Sequence, residues 1–158
     1  MEDQLNYRYA LTKVMEWCSK SERCTHEAKL NLMKFELSDI QLDTSIEYLI
    51  KEKFIDDSRF VKFYINDKLR FNKWGKVKLH FMLRQKKIDE STINEALDEI
   101  DQELYIKILR DLLVLKIKSV KGISAYERKG KLANFAISHG FESDLAYGIA
   151  TKLTEDSD

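Results

Sequence analysis

Residues 79–88 read LHFMLRQKKI, and residues 132–141 read LANFAISHGF. Aligned at a constant offset of 53, Leu79 falls on Leu132, Met82 on Phe135, Leu83 on Ala136 and Ile88 on Phe141. Ala96 and Ile100 fall on Ile149 and Leu153 at the same offset. Upstream, Leu30 and Met33 fall on Leu79 and Met82 at an offset of 49, and Ile46 and Leu49 match Ile93 and Ala96 after a two-residue slip. Self-similarity at such a period is the signature of a repeat architecture. Each copy reads as a long helix, a medium helix, a short turn ending in an apolar residue, and a short helix. The apolar residue after the middle helix (Ile40, Ile88, Phe141) is expected to plug the unit and seat its third helix on the other two.

Working outward, apolar spacing is helical along the whole chain. The stripes are Tyr7, Leu11, Val14, Met15 and Cys18; Leu30, Met33 and Leu37; Ile46, Leu49, Ile50 and Phe54; and Phe60, Val61, Tyr64, Ile65 and Leu69. Leu79, Met82 and Leu83 follow, then Ile93, Ala96, Leu97 and Ile100, then Leu104, Ile108, Leu112 and Leu115. A capping box at Ser124–Glu127 opens the eighth helix. The last stripe is Ala146, Ile149, Ala150 and Leu153. Asp43, Asp57 and Asp89 are the expected caps of the third, fourth and sixth helices. Proline is absent and glycine occurs five times, which favours long helices over special turns. The expectation is an all-α fold: a tandem repeat of three three-helix units, residues 1–55, 56–100 and 101–158, forming an elongated, curved body. The junctions, Lys53–Asp56 and the region near Asp101, contain no Gly or Pro, so semi-rigid packing between units is expected.

The chain is formally neutral, but its charge is not evenly spread. Residues 1–57 hold eight Lys and Arg against twelve Asp and Glu, residues 58–100 hold ten against six, and residues 101–158 hold nine of each. The positive excess sits in residues 59–87, RFVKFYINDKLRFNKWGKVKLHFMLRQKK, where Asp67 is the one acidic residue. One basic block in a neutral protein points to an anionic partner, nucleic acid first. The aromatics between the charges are read as mostly core, with Trp74 undecided between core and surface. Gly75 marks a corner where a helix start flanked by Lys73, Lys76 and Lys78 would offer backbone N–H groups to an anion. A second basic cluster lies at Lys116, Lys118, Lys121, Arg128, Lys129 and Lys131, ahead of an acidic tail at Glu155, Asp156 and Asp158.

Catalytic patterns do not emerge. The glycines form no phosphate loop, and His26, His80 and His139 lie far apart without metal-ligand spacing. Asp56–Asp57 reads as a helix start, not a carboxylate dyad. The acidic run from Glu90 to Glu103 reads as a solvated face. Cys18 and Cys24 are spaced for reduced, buried thiols, not for zinc. The expectation is a protein that is not an enzyme and uses no cofactor or metal. No uncharged apolar run is long enough to cross a membrane, the N-terminus lacks the order of a secretion signal, and a cytoplasmic location is expected.

Phe54-Ile55-Asp56-Asp57-Ser58-Arg59-Phe60, then Lys73-Trp74-Gly75-Lys76, then Leu83-Arg84-Gln85-Lys86-Lys87-Ile88 resemble the central motifs of the RecX family of bacterial recombination regulators. Tyr9-Ala10-Leu11 through Leu30, and Lys131-Leu132 through Glu142, are similar to its first and third units. Two departures stand out. Ser38 and Lys87 occupy the places assigned to the family's glycine before the apolar plug, and residues 18–24 replace a more basic bend. The resemblance implies a tandem three-helix repeat protein that lodges in the groove of the RecA–single-stranded DNA filament. It would inhibit the recombinase, ATPase and coprotease activities, modulating DNA repair, recombination and the SOS response. The implied RecA/DNA surface comprises Arg59, Lys62, Lys68, Arg70, Lys73, Trp74, Gly75, Lys76, Lys78, Arg84, Lys86 and Lys87, with an extension over Lys118, Lys121, Arg128, Lys129 and Lys131. A monomer suits the repeat architecture. The alternative is a stand-alone helical nucleic-acid-binding protein, since each unit contains a helix–turn–helix pair.

Overall fold

The computed structural model describes residues 1–122 and 124–156, and among these every regular element is helical. The helices are α1 (Glu2–Lys20), α2 (Thr25–Leu32), α3 (Asp39–Lys51), α4 (Asp57–Asp67), α5 (Lys76–Gln85), α6 (Glu90–Asp98), α7 (Gln102–Ile117), α8 (Ala125–Ser138) and α9 (Ser143–Asp156). A 3₁₀ turn, Met33–Phe35, extends α2, and a π turn, Lys68–Asn72, extends α4. Asp158 of the expected acidic tail lies outside the described residues. Close contacts gather the chain into two compact units, residues 1–64 with 83–93, and residues 65–82 with 94–158.

In the first unit, α1 turns Ala10, Val14 and Cys18 inward, against Ala28, Leu32, Leu49 and Ile55. These α1 positions repeat every four residues, so they share one face. The expected stripe through α2 is corrected. Leu30 and Met33 are exposed, while Ala28 and Leu32 carry the core face. The apolar plug is corrected as well: Ile40 is 80% exposed, and Leu37 packs on the core in its place. The reason is visible in the backbone. Glu36 is left-handed (φ 56°), as are Lys87 (φ 60°) before Ile88 and Gly140 (φ 93°) before Phe141. The reversal that ends each middle helix therefore sits at Glu36, and Ser38 belongs to the next element. Lys53 and Lys73 repeat the device before Phe54 and Trp74. At Phe54 and Phe141 the amide reaches back five residues, to Leu49 O (2.9 Å) and Ala136 O (3.1 Å), which closes the helix end in a Schellman arrangement.

Two helix starts also differ from expectation. Ser38, not Asp43, caps α3: its hydroxyl accepts the Gln41 N–H (3.2 Å), and Gln41 returns the bond to Ser38 N (3.1 Å). Asp56, not Asp57, caps α4 by accepting the Arg59 N–H (3.1 Å). Asp57 instead accepts the N–H of Thr25 (2.8 Å) and so serves the start of α2. Cys24 opens α2 with a thiol capping box, its N–H bound by Glu27 Oε1 (3.1 Å). Both cysteines are free and buried. Burial pushes the Cys24 thiol up to about 11 and raises Cys18 as well, which keeps both protonated and weakly nucleophilic at neutral pH.

In the second unit, Tyr105, Ile108, Leu109 and Leu113 of α7 meet Leu132, Ala133 and Ala136 of α8 and Ala146 and Ala150 of α9. Four alanines let α8 and α9 lie close. Leu115, expected on this face, is exposed, because the inward arc of α7 runs through Leu113 and Leu115 lies two residues beyond it. The start of α5 is built against the end of α8. Gly75 N donates to His139 O (2.8 Å), and Val77 N donates to Gly140 O (3.0 Å). Lys76 N donates to the Tyr105 hydroxyl (3.0 Å), which itself donates to Glu142 Oε1. Tyr105 is fully buried and packs on Phe141 at 5.3 Å. Burial, reinforced by that hydrogen bond to Glu142, holds its hydroxyl far above the usual phenol range. The two backbones touch. A Cβ on Gly75 would lie 2.4 Å from Gly140 O, and one on Gly140 would lie 2.2 Å from Lys78 Cβ.

Two outcomes are expected in urea unfolding. Gly75→Ala forces backbone against backbone and is expected to cost about 3 kcal/mol or more, while Tyr105→Phe strips the Lys76 amide of its acceptor and is expected to cost about 1–3 kcal/mol. Conversely, Glu36→Gly relieves a left-handed residue and is expected to add about 1 kcal/mol, read as a rise of about 2–4 °C in Tm; an unchanged or lower Tm would contradict the strain argument.

Candidate functional site

The seventeen residues singled out by sequence are divided between the two units. Three of them are structural. Arg59 Nε binds both oxygens of Glu22 (2.9 and 2.8 Å), and its Nη2 closes the carboxyl end of α3 at Lys53 O (3.1 Å). Arg84 Nη1 donates to Ile88 O (3.1 Å) across the left-handed turn. Lys86 pairs with Glu27 (3.1 Å) and lies over the rings of Phe60 and Tyr64. Arg59 and Lys86 thus meet carboxylates, Glu22 between α1 and α2 and Glu27 on α2, whereas Arg84 is held by a neutral carbonyl. In that unit Lys62 is exposed, and Lys87 borders a cleft with His26, Lys29, Leu30 and Met33.

The second unit holds the denser group. The π turn after α4 brings the amides of both Lys73 and Trp74 to Lys68 O (3.2 Å for Trp74). This wide turn, of a kind frequent at functional sites, places the half-buried Trp74 ring between two ammonium groups. Lys78 lies 4.6 Å from its centroid and Lys68 5.5 Å. Each such contact is worth about 0.5–1 kcal/mol at an exposed site. Arg70 Nε donates to Asn66 Oδ1 (2.7 Å), and Lys73 Nζ donates to Arg70 O. These partners are neutral, so they orient the two cations without cancelling their charge. Lys76 turns back over the Tyr105 ring at 5.0 Å.

His139 extends the group. Its Nδ1 lies 3.0 Å from Lys73 O, its ring meets Phe135 at 4.6 Å, and Lys116 Nζ sits 4.7 Å over Phe135. The carboxyl end of α7 thereby joins the corner. Lys116, Phe135 and His139 were outside the implied surface, since no local pattern in sequence links residue 116 to residue 73.

The expected anion cradle at Gly75 is corrected. The amides of Gly75, Lys76 and Val77 are all bound within the unit, so positive charge at this corner comes from side chains. The aromatics also differ from expectation: Phe60 and Tyr64 are buried, whereas Phe63, Phe71 and Phe81 are exposed, with Val77. Val77 and Phe81 share the face of α5 opposite the buried Leu79 and Leu83, a split that the single stripe through Leu79, Met82 and Leu83 passed over.

Of the extension, Lys118 and Lys121 are exposed at the end of α7. Lys131 ties to Lys121 O (2.5 Å) and Glu127 (3.3 Å), and Lys129 lies over Tyr126 at 5.2 Å. Arg128 is half-buried. Among the described residues no helix is long and apolar enough to cross a membrane.

Comparison with known proteins now bears on this arrangement. Residues 56–97 match the family model described as RecX, second three-helix domain. The chain is 34% identical over 115 residues to the regulatory protein RecX of Chlorobium phaeobacteroides, covering 73% of this chain and 72% of that protein. It is 30% identical over 140 residues to that of Clostridium acetobutylicum, covering 86% of this chain and 64% of the relative's length. The match with the crystal structure of RecX from Lactobacillus salivarius has a TM-score of 0.85 over 94% of this chain and 96% of that one, at 18% identity. A second crystal structure, of a regulatory protein RecX, gives 0.82 over 98% and 74%. The all-α fold is shared with both structures, and the identity to the Chlorobium protein extends over most of both sequences: the chain belongs to the RecX family of regulatory proteins.

Proposed function

We propose that this chain regulates the RecA recombinase by binding the RecA–single-stranded DNA filament and inhibiting its recombinase, ATPase and coprotease activities. It acts by occupation and not by catalysis, as a cytoplasmic monomer built of three repeats at residues 1–55, 56–100 and 101–158. The observation that carries this reading is the cluster of Arg70, Lys73, Lys78 and Lys116 around Trp74 and His139, with Lys68 beside it paired to Asp67 (3.8 Å). Neutral partners and aromatic rings hold the first four cations in place. Cations fixed in position and still charged suit a phosphate backbone or an acidic protein groove. Arg59, Arg84 and Lys86 leave the interface set because they hold the first unit together.

The test is RecA's ATPase on single-stranded DNA with the protein added. Reversing Arg70, Lys73 and Lys78 to Glu is expected to abolish inhibition with helicity unchanged by circular dichroism. Reversing Lys13 and Lys51, exposed on the acidic first unit, is expected to leave it intact. Equal inhibition by both variants would refute the assigned surface. If phosphates are contacted, binding to the filament weakens steeply as salt is raised, in proportion to the cations engaged; a flat salt response would point to a protein-only contact.

A further inference from the structure

A cleft of about 430 Å³ runs along the outward face of α2, bounded by Asp57 at the start of α4 and by Lys87 in the turn after α5. His26, Leu30 and Met33 follow one another along this face at helical spacing, with Lys29 beside them, while Ala28 and Leu32 fill the core on the other side. Leu30 is 49% exposed and Met33 58%, and neither belongs to the core of the unit. Two large apolar side chains thus stand together in water. Their rim is cationic. Residues 1–57 carry an excess of carboxylates, and other cations of this unit are matched: Lys13 pairs with Glu16, Arg59 with Glu22 and Lys86 with Glu27. The ammonium groups of Lys29 and Lys87 have no such partner among the described residues. The carboxylate in the cleft, Asp57, has an oxygen already committed to Thr25 N (2.8 Å). Lys87 holds its place at a left-handed φ of 60°, a conformation that costs a lysine about 1 kcal/mol relative to glycine.

We infer that this cleft docks a linear acidic peptide, seating one large apolar side chain against Leu30 and Met33 while flanking carboxylates meet Lys29 and Lys87. The rim decides the sign of the occupant, since a basic segment would set like charges against the two ammonium groups. The apolar floor decides its class. A phosphodiester chain gains little from Leu30 and Met33, whereas a leucine or phenylalanine gains their burial, and a methionine adapts to whichever ring or branch arrives. The volume admits one large side chain with its neighbouring backbone, which suits a short motif on a partner, not a folded face. His26 adds a ring N–H that can donate to a carboxylate or a backbone oxygen. The cleft belongs to the first unit and uses none of the cations around Trp74, so it is a surface in addition to the one proposed for the filament.

The test is fluorescence anisotropy with the full chain and no recombinase. The probes are short labelled peptides with leucine, isoleucine, phenylalanine or tryptophan at the centre of a run of aspartates, each compared with the same peptide carrying serine at the centre. At least one apolar peptide is expected to bind, and its serine counterpart to bind about tenfold or more weakly. Leu30→Ser is expected to weaken binding about tenfold and Lys87→Gly about threefold. Lys87→Gly also relieves the left-handed residue, so its thermal midpoint is expected at or above the parent's, which separates a lost contact from misfolding. The proposal is overturned if no apolar peptide binds more tightly than its serine counterpart, or if both variants bind as the parent does. It is also overturned if Leu30→Ser weakens a labelled oligothymidylate as much as it weakens the peptide, which would make the occupant a phosphate chain. Because RecA is absent, none of these failures touches the regulator reading, which the ATPase assay decides by itself.

Discussion

The second unit depends on one end-to-end contact between helices. The last carbonyls of α8, at His139 and Gly140, receive the first amides of α5, at Gly75 and Val77, and the Tyr105 hydroxyl receives the amide between them. Helix ends leave backbone groups without partners, and burying them bare is costly. Here a surplus of donors meets a surplus of acceptors, and the negative end of one dipole faces the positive end of the other. The contact needs two backbones at near van der Waals distance, which only paired glycines permit. Gly140 serves twice, since its positive φ also turns the chain so that Phe141 enters the core.

The basic corner follows from the same contact. His139 can reach Lys73 O because α8 ends where α5 begins, and through Phe135 it draws in Lys116 from α7. The corner is therefore assembled from three stretches far apart in sequence, and its charge comes from side chains because the amides are consumed.

The helices and the repeat were legible in the sequence, since four-residue spacing survives wherever a helix buries one face. Leu79, Leu83, Ile93 and Leu132 all lie where the pattern put them. Errors collected at helix ends. Asp56 and Asp57 are chemically alike, and only the fold decides that one caps α4 while the other reaches Thr25. Glu36 and Lys87 occupy positions that glycine would advertise, so the plug in the first unit was misplaced by three residues. In the candidate site, counting lysines and arginines marks the basic segment but not the bonds its side chains make, because whether Arg59 meets Glu22 depends on where α1 ends. The family motifs around Asp56, Gly75 and Ile88 were legible because they mark backbone constraints, which tolerate few residue types.

The left-handed helix ends carry a consequence for how such a chain can vary. Lys53, Lys73 and Lys87 each hold a conformation that glycine would adopt without strain, and each instead places a cation beside the negative end of a helix. At Lys73 that cation also belongs to the corner around Trp74. Selection for thermal robustness alone favours glycine at this position, whereas selection for an anionic partner favours lysine, so the two pressures oppose each other at a single side chain. A lineage grown at higher temperature would have to find its added stability elsewhere, or give up charge at this corner.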